Sequence, residues 1–190
     1  MTSGALPILK GVSMHHPEPS RPAVNEARRP TLHLLCGKIA SGKSTLAKRL
    51  AEQPNTVLLT EDQLLSCLFP GEIQALADYV RCADRLKQAL GGHIVALLRA
   101  GLSVVLDFPA NTQRQRAWLR SLFEQAGAAH VLHVLDLPDA ICKARLRARN
   151  AAGAHPFATS DAAFEAITRH FLPPAPEEGF EVQRLTSDQG

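Results

Sequence analysis

Thr31-Leu32-His33-Leu34-Leu35-Cys36, running straight into Gly37-Lys38-Ile39-Ala40-Ser41-Gly42-Lys43-Ser44-Thr45, is the stretch that decides the fold. The first six residues are a short apolar run between Pro30 and Gly37, the pattern of a strand buried on both faces of a parallel sheet. The run beginning at Gly37 satisfies G-x-x-x-x-G-K-[ST], and helical spacing then continues over residues 43–53 until Pro54 stops it. A strand before the glycines and a helix after them give the motif its chemistry. Backbone N–H groups close around phosphate oxygens, the helix N-terminus adds its dipole, Lys43 reaches the outer phosphates, and the Ser44 hydroxyl is a ligand for Mg²⁺. Gly37, Lys38, Ile39, Ala40, Ser41, Gly42, Lys43, Ser44 and Thr45 are therefore the predicted nucleotide-binding residues.

Working outward, residues 1–29 collect Pro7, Pro17, Pro19 and Pro22 with no apolar periodicity, and are expected to be a loose arm, with Met14 an alternative start. On the C-terminal side, strands are predicted at 57–59, 102–106, 131–135 and 180–185. Helices are predicted at 62–69, 72–100, 111–123, 138–150 and 161–171, the second with a kink or break at Gly91-Gly92. Asn111 is the expected cap of the third of these helices. Strands alternating with helices predict an α/β three-layer sandwich around a mostly parallel five-stranded sheet, occupying residues 30–186 and leaving 187–190 as a tail.

The chain has 190 residues, 45% apolar and 21% charged, which fits one globular domain. Its 21 basic and 18 acidic residues give only +3, and aromatics make up 5%. That argues against nucleic acid as a partner, since such binders use basic stripes and stacking platforms. Cys36, Cys67, Cys82 and Cys142 are widely spaced, with neither zinc nor disulfide patterning. With no secretory leader pattern and no span-length apolar run, the expected location is cytoplasmic, away from membranes.

A phosphate-handling site needs a second carboxylate for the magnesium shell, and Asp107, ending the predicted strand 102–106, reads either as that ligand or as a cap of the next turn. On the helix 138–150, Ile141, Cys142, Ala144, Leu146 and Ala148 define the predicted apolar side. Arg145 and Arg149 fall within that arc, with Lys143 and Arg147 opposite. Guanidiniums on an inward face need an anionic partner, either a phosphate or a structural carboxylate. Arg114 and Arg116 begin the helix after residue 111, near a strand end where ligands of open α/β sheets lie. They read either as holding an acceptor or phosphate, or as solvated surface charge.

With the phosphate loop, Thr60-Glu61-Asp62, Val105-Leu106-Asp107-Phe108-Pro109-Ala110-Asn111-Thr112 and the segment from Cys142 to Asn150 in place, the chain resembles a group of small P-loop kinases. These are related to chloramphenicol phosphotransferase, zeta-type toxins and polynucleotide kinase, and are often described as AAA-family ATPases. The likeness implies a nucleotide-kinase-like P-loop NTPase fold and Mg²⁺-dependent transfer of the γ-phosphate of ATP to a hydroxyl acceptor. It implies that Asp62 is the base for the acceptor hydroxyl, although Glu61-Asp62 also reads as an ordinary acidic helix start. It further implies that Lys43, Arg145 and Arg149 act on the transferring phosphoryl group, that residues 150–157, with His155, form a lid loop, and that residues 173–180 border the adenine. The acceptor itself is not specified. Two other readings stay open: a nucleotide-dependent switch or assembly factor, and a 5′-hydroxyl polynucleotide kinase.

Overall fold

The structure is a computed structural model and describes residues 29–153 and 159–185; the expected arm, the lid residue His155 and the tail lie outside these. In chain order the elements are β1 (Thr31–Gly37), α1 (Lys43–Ala51), β2 (Thr56–Thr60), α2 (Glu61–Leu68), α3 (Leu76–Arg99) and β3 (Ser103–Pro109). They continue with α4 (Gln113–Ala126), β4 (Ala129–Leu135), α5 (Asp139–Ala151), α6 (Asp161–Thr168), a 3₁₀ turn (Pro176–Glu178) and β5 (Val182–Leu185).

The strands form one sheet in the order β2-β3-β1-β4-β5, and every pairing is parallel, beyond the mostly parallel sheet expected. Both faces are covered, as parallel sheets require. Leu32, Leu34, Val104, Leu106, Leu132 and Val134 join residues of α3 and α4 in the larger core. Leu35, Val105 and Leu135 meet Leu46 and Ala47 of α1 on the other face. A third cluster, Leu137, Cys142, Leu146 and Phe164, packs under Ile39 and Ala40, so α5 and α6 rest on the tip of the glycine loop.

The order places β1 centrally, with its chain leaving through α1 toward β2 on one side while β3 returns through α4 to β4 on the other. The carboxyl end of β1 is thus at the topological switch point, where ligands of open α/β sheets bind. Register supplies a second local feature. Leu34 pairs with Leu106 but Leu35 pairs with Pro109, so β3 bulges at Asp107 and Phe108 beside the end of β1.

Three expectations change. First, α3 starts at Leu76 and runs unbroken through Gly91-Gly92 to Arg99. Gly91 fits against α4 instead of breaking the helix, since a Cβ there would sit 3.7 Å from Leu122 Cδ2 and 4.0 Å from Trp118 Nε1. Second, Thr112, not Asn111, caps α4. Its Oγ1 accepts from Gln115 N at 3.2 Å, while Gln115 Oε1 accepts from Thr112 N at 3.1 Å and Asn111 N at 2.9 Å. Third, the inward stripe of α5 is narrower than the arc read from sequence. Cys142 and Leu146 are buried, but Ile141, Ala144, Arg145 and Ala148 are exposed, and Arg149 is half-buried. The reason is that α5 meets the domain only through the small cluster under the loop tip, which an arc of two buried side chains fills.

Candidate functional site

The site grows from the end of β1. Gly37 is fixed by a close approach, because a Cβ there would come within 2.6 Å of Ser41 Oγ and 2.7 Å of Leu135 O. Gly42 turns the chain into α1 with φ 101°, a left-handed backbone that glycine adopts freely. Lys43 Nζ donates to Gly37 O and Lys38 O, both at 2.7 Å, which folds the side chain back over its own loop. Burial lowers the Lys43 pKa. Asp107 is the carboxylate that most opposes this, and Asp62 also contributes. Ser44 and Thr45 are exposed on the first turn of α1.

Asp107 and Asp62 arrive from adjacent strands. Thr60, the last residue of β2, pairs with Asp107, and Asp62 lies two residues further on, in the first turn of α2. Alternation along β3 puts Asp107 on the same face as Val105, the face that α1 covers.

On α5 the four cations fall into two sets by their partners. Lys143 Nζ lies 2.6 Å from Glu165 Oε1, and Arg147 pairs with Asp161, so both are tied to α6. No described carboxylate is paired with Arg145 or Arg149. Arg145 is exposed, yet its Nη1 lies 3.7 Å from where a Gly42 Cβ would be. Arg149 has its pKa lowered by burial, with Asp62 the carboxylate that raises it, and its Nε is buried without a hydrogen-bond partner.

The two helix-start arginines, read either as holding an acceptor or phosphate or as solvated surface charge, diverge: Arg114 fits the surface reading and Arg116 fits neither. Arg116 is fully buried and structural. Its Nε and Nη2 donate to Glu178 at 2.7 and 2.8 Å, and Nη1 donates to Ala110 O and Leu172 O at 3.0 and 2.7 Å. Its guanidinium ties the β3–α4 turn to residues 172–178. Arg114 is on the surface, 82% exposed, and pairs with Asp84 at 2.9 Å.

The sequence reading missed two contributions. Asn111 Oδ1 accepts from Gly37 N at 2.9 Å and holds the start of the glycine loop, while Leu172 N donates to its carbonyl. Glu61, read as half of an acidic helix start, is buried. It accepts from the Tyr79 hydroxyl and lies 3.7 Å from Lys87 Nζ. The only sequence signal for either was adjacency to a residue already singled out.

The donor set fits a polyphosphate with its metal. Ser41 Oγ and Arg149 Nε are orphaned buried polar atoms beside the loop and the lid helix, and both suit an anion's oxygens. The Ser44 hydroxyl and the Asp107 carboxylate are hard oxygens of the kind Mg²⁺ takes, and are the groups here that could hold it. The concavity of about 580 Å³ between α5 and α6, lined by Asp139, Ala162, Glu165, Thr168 and Arg169, holds none of these groups. Among the described residues there is no cluster of His, Cys, Asp or Glu suited to a metal, and no helix long and apolar enough to cross a membrane.

Known structures share the fold. A candidate kinase from Chloroflexus aurantiacus superposes with TM-score 0.66 at 22% identity, over 85% of this chain and 87% of that one. The Mycobacterium tuberculosis APS kinase CysC, solved with AMPPNP and APS, gives 0.58 at 23% identity, over 85% and 91%. Chaetomium thermophilum Kti12, solved with ADP-AlF3, gives 0.63 at 15% identity, over 84% and 90%. At these identities the likeness establishes the P-loop kinase fold alone. No match is found among curated proteins. A model of the AAA domain family matches residues 32–174, a span that contains the glycine loop, Asp62, Asp107 and all of α5; with the loop, the parallel order and this match in agreement, the chain belongs to the AAA domain family.

Proposed function

We propose that the domain is a kinase that transfers the γ-phosphate of ATP to a hydroxyl group of a separate acceptor. The observation that carries this is the convergence of Lys43, Asp107, Asp62 and Arg149. They come from α1, β3, α2 and α5. Thr60 pairs with Asp107 two residues before Asp62, and the charges of both aspartates oppose the lowering of the Lys43 pKa by burial, as that of Asp62 does for Arg149. A hydrolytic switch has no need of a carboxylate on the acceptor side of the phosphates, whereas a kinase does.

In this reading the loop N–H groups, Lys43 and Ser41 hold the phosphates, and Ser44 and Asp107 hold Mg²⁺. Held there, the metal would supply neutralisation of phosphate charge. Asp62 orients the acceptor hydroxyl and takes its proton as the new O–P bond forms and the bond between γ-phosphorus and bridging oxygen breaks, leaving ADP. Arg145 and Arg149 stabilise the charge on the phosphoryl group in flight. Arg116 ties residues 172–178 to the β3–α4 turn, whose Asn111 holds Gly37 at the head of the glycine loop, and this tie supports the assignment of residues 173–180 to the adenine side.

Asp62→Asn tests this directly, because it keeps shape and deletes charge. ATP affinity measured by calorimetry is expected to stay within twofold, and transfer to fall by ~10²-fold or more, the usual scale for a general base. Transfer at the undiminished rate would remove the mechanism and favour the nucleotide-switch reading.

A further inference from the structure

We infer that Glu61, held by Tyr79 and Lys87, is a positioning residue that aims Asp62 at the phosphate side of the site; the inference rests on the kinase reading above, in which Asp62 takes the acceptor proton. The two acidic residues open α2 side by side. Thr60, just before them, pairs with Asp107 at the end of the β2–β3 ladder and gives the helix no side-chain cap. The ladder fixes where the chain enters α2. How the first turn is rotated about the helix axis is then set by what its side chains meet.

Glu61 supplies such a contact. Its side chain is 2% exposed, the Tyr79 hydroxyl donates to Oε2, and Lys87 Nζ lies 3.7 Å from Oε1, the separation of an ion pair. Both partners stand on α3, Tyr79 near its start and Lys87 further along. Lys87 Nζ is also 5.9 Å from the centroid of the Trp118 ring on α4, so three helices meet around one buried carboxylate. Successive helix residues point about 100° apart, so with Glu61 turned in toward α3, Asp62 is turned away from it. Asp62 is half-buried there, and its charge acts on Lys43 of α1 and Arg149 of α5, raising the pKa of each against the lowering by burial.

A well-packed apolar side chain at position 61 would avoid the cost of burying a charge. Burial does push the Glu61 pKa up, opposed by the Tyr79 hydrogen bond and then by the charge of Lys87. What the carboxylate adds is direction: a hydrogen bond weakens steeply as its angle closes, whereas apolar burial is non-directional. Direction matters at this place because Asp62 is the next residue. Rotating the first turn of α2 would carry its carboxylate off the acceptor hydroxyl, and a misplacement of ~1 Å can cost ~10²-fold in rate.

The test uses the full chain with Mg²⁺ and ATP and takes water as the acceptor. Phosphate release is read in single-turnover reactions, with ATP affinity from calorimetry beside it. Tyr79→Phe deletes one hydroxyl and keeps the ring, while Glu61→Gln keeps the shape and deletes the charge. Each is expected to lower the hydrolysis rate about tenfold, inside the range that misplacement of a reacting group can cost, with ATP affinity held within about twofold. In an Asp62→Asn background the same two changes are expected to cost less than about twofold, because the group they aim is already gone. Undiminished rates in both single variants would overturn the inference. So would losses of full size in the Asp62→Asn background, since a purely structural role would not depend on Asp62. An Asp62→Asn protein that hydrolyses ATP at the undiminished rate would instead overturn the reading of Asp62 as the base, and this inference with it.

Discussion

Lys43 is a half-buried cation and Arg116 a fully buried one, and their mutants are expected to part company. Lys43→Met removes an ammonium held only by two loop carbonyls, so it should abolish ATP binding in calorimetry while the melting temperature barely moves. Arg116→Met strips Glu178 and two main-chain carbonyls of their donor at a fully buried position, which should cost roughly 3–5 kcal/mol in denaturant unfolding. Lys43 was legible from sequence because its spacing from Gly37 and Gly42 is itself the chemistry. Arg116 was not: at the start of α4 it looks like any solvated arginine, and the carboxylate that explains it is 62 residues away. Glu61 was hidden for the same reason, since Tyr79 and Lys87 reach it only after α3 has packed against α2.

The elements repeat this lesson in packing terms. Gly91-Gly92 reads as a break when propensity is considered alone, but α3 is held straight by α4, so the conformational preference of two glycines is overridden. Gly92 faces open space, and Gly92→Ala should therefore stabilise the protein by about 0.8–1 kcal/mol, visible as a melting temperature higher by a few degrees. On α5, alanine at Arg149 should slow turnover substantially, whereas alanine at Lys143 or Arg147 should leave it within about twofold, because those two face exposed α6 carboxylates and such pairs contribute little. Equal effects of all three on turnover would remove the lid arginine from the reaction. The pairing of β1 with β4 adds a pH dependence. His133 is buried with its Nε2 3.1 Å from His33 Nδ1, and burial, then the charge of His33, pushes its pKa down to about 4. The unfolded chain, with its histidine near 6.5, then binds more protons than the native state between those values. Stability is fully present above about pH 6.5 and is lost as pH falls toward 4, by up to about 3 kcal/mol. Urea titrations across that range should show the slope, and His133→Gln should flatten it.

Across the whole molecule, the parallel sheet and the three layers follow from the alternation of short apolar runs with helical ones, which is why the architecture could be read in advance, whereas the strand order could not. Contacts that cross between layers, such as Asn111 to Gly37 or Arg116 to residues 172–178, carry no periodic signature and had to be seen. The Arg116 link also sets an order of events during synthesis. The ribosome makes β1 to β4 and their helices before it makes Glu178, so for that interval the guanidinium under the β3–α4 turn has no counter-charge to be buried with. A nascent chain can assemble the phosphate loop early, but it can close the floor beneath Ala110 only when Glu178 emerges from the exit tunnel. Binding of a nucleotide analogue to ribosome-arrested chains should accordingly jump in strength once the arrest point moves past this residue by the length of the tunnel.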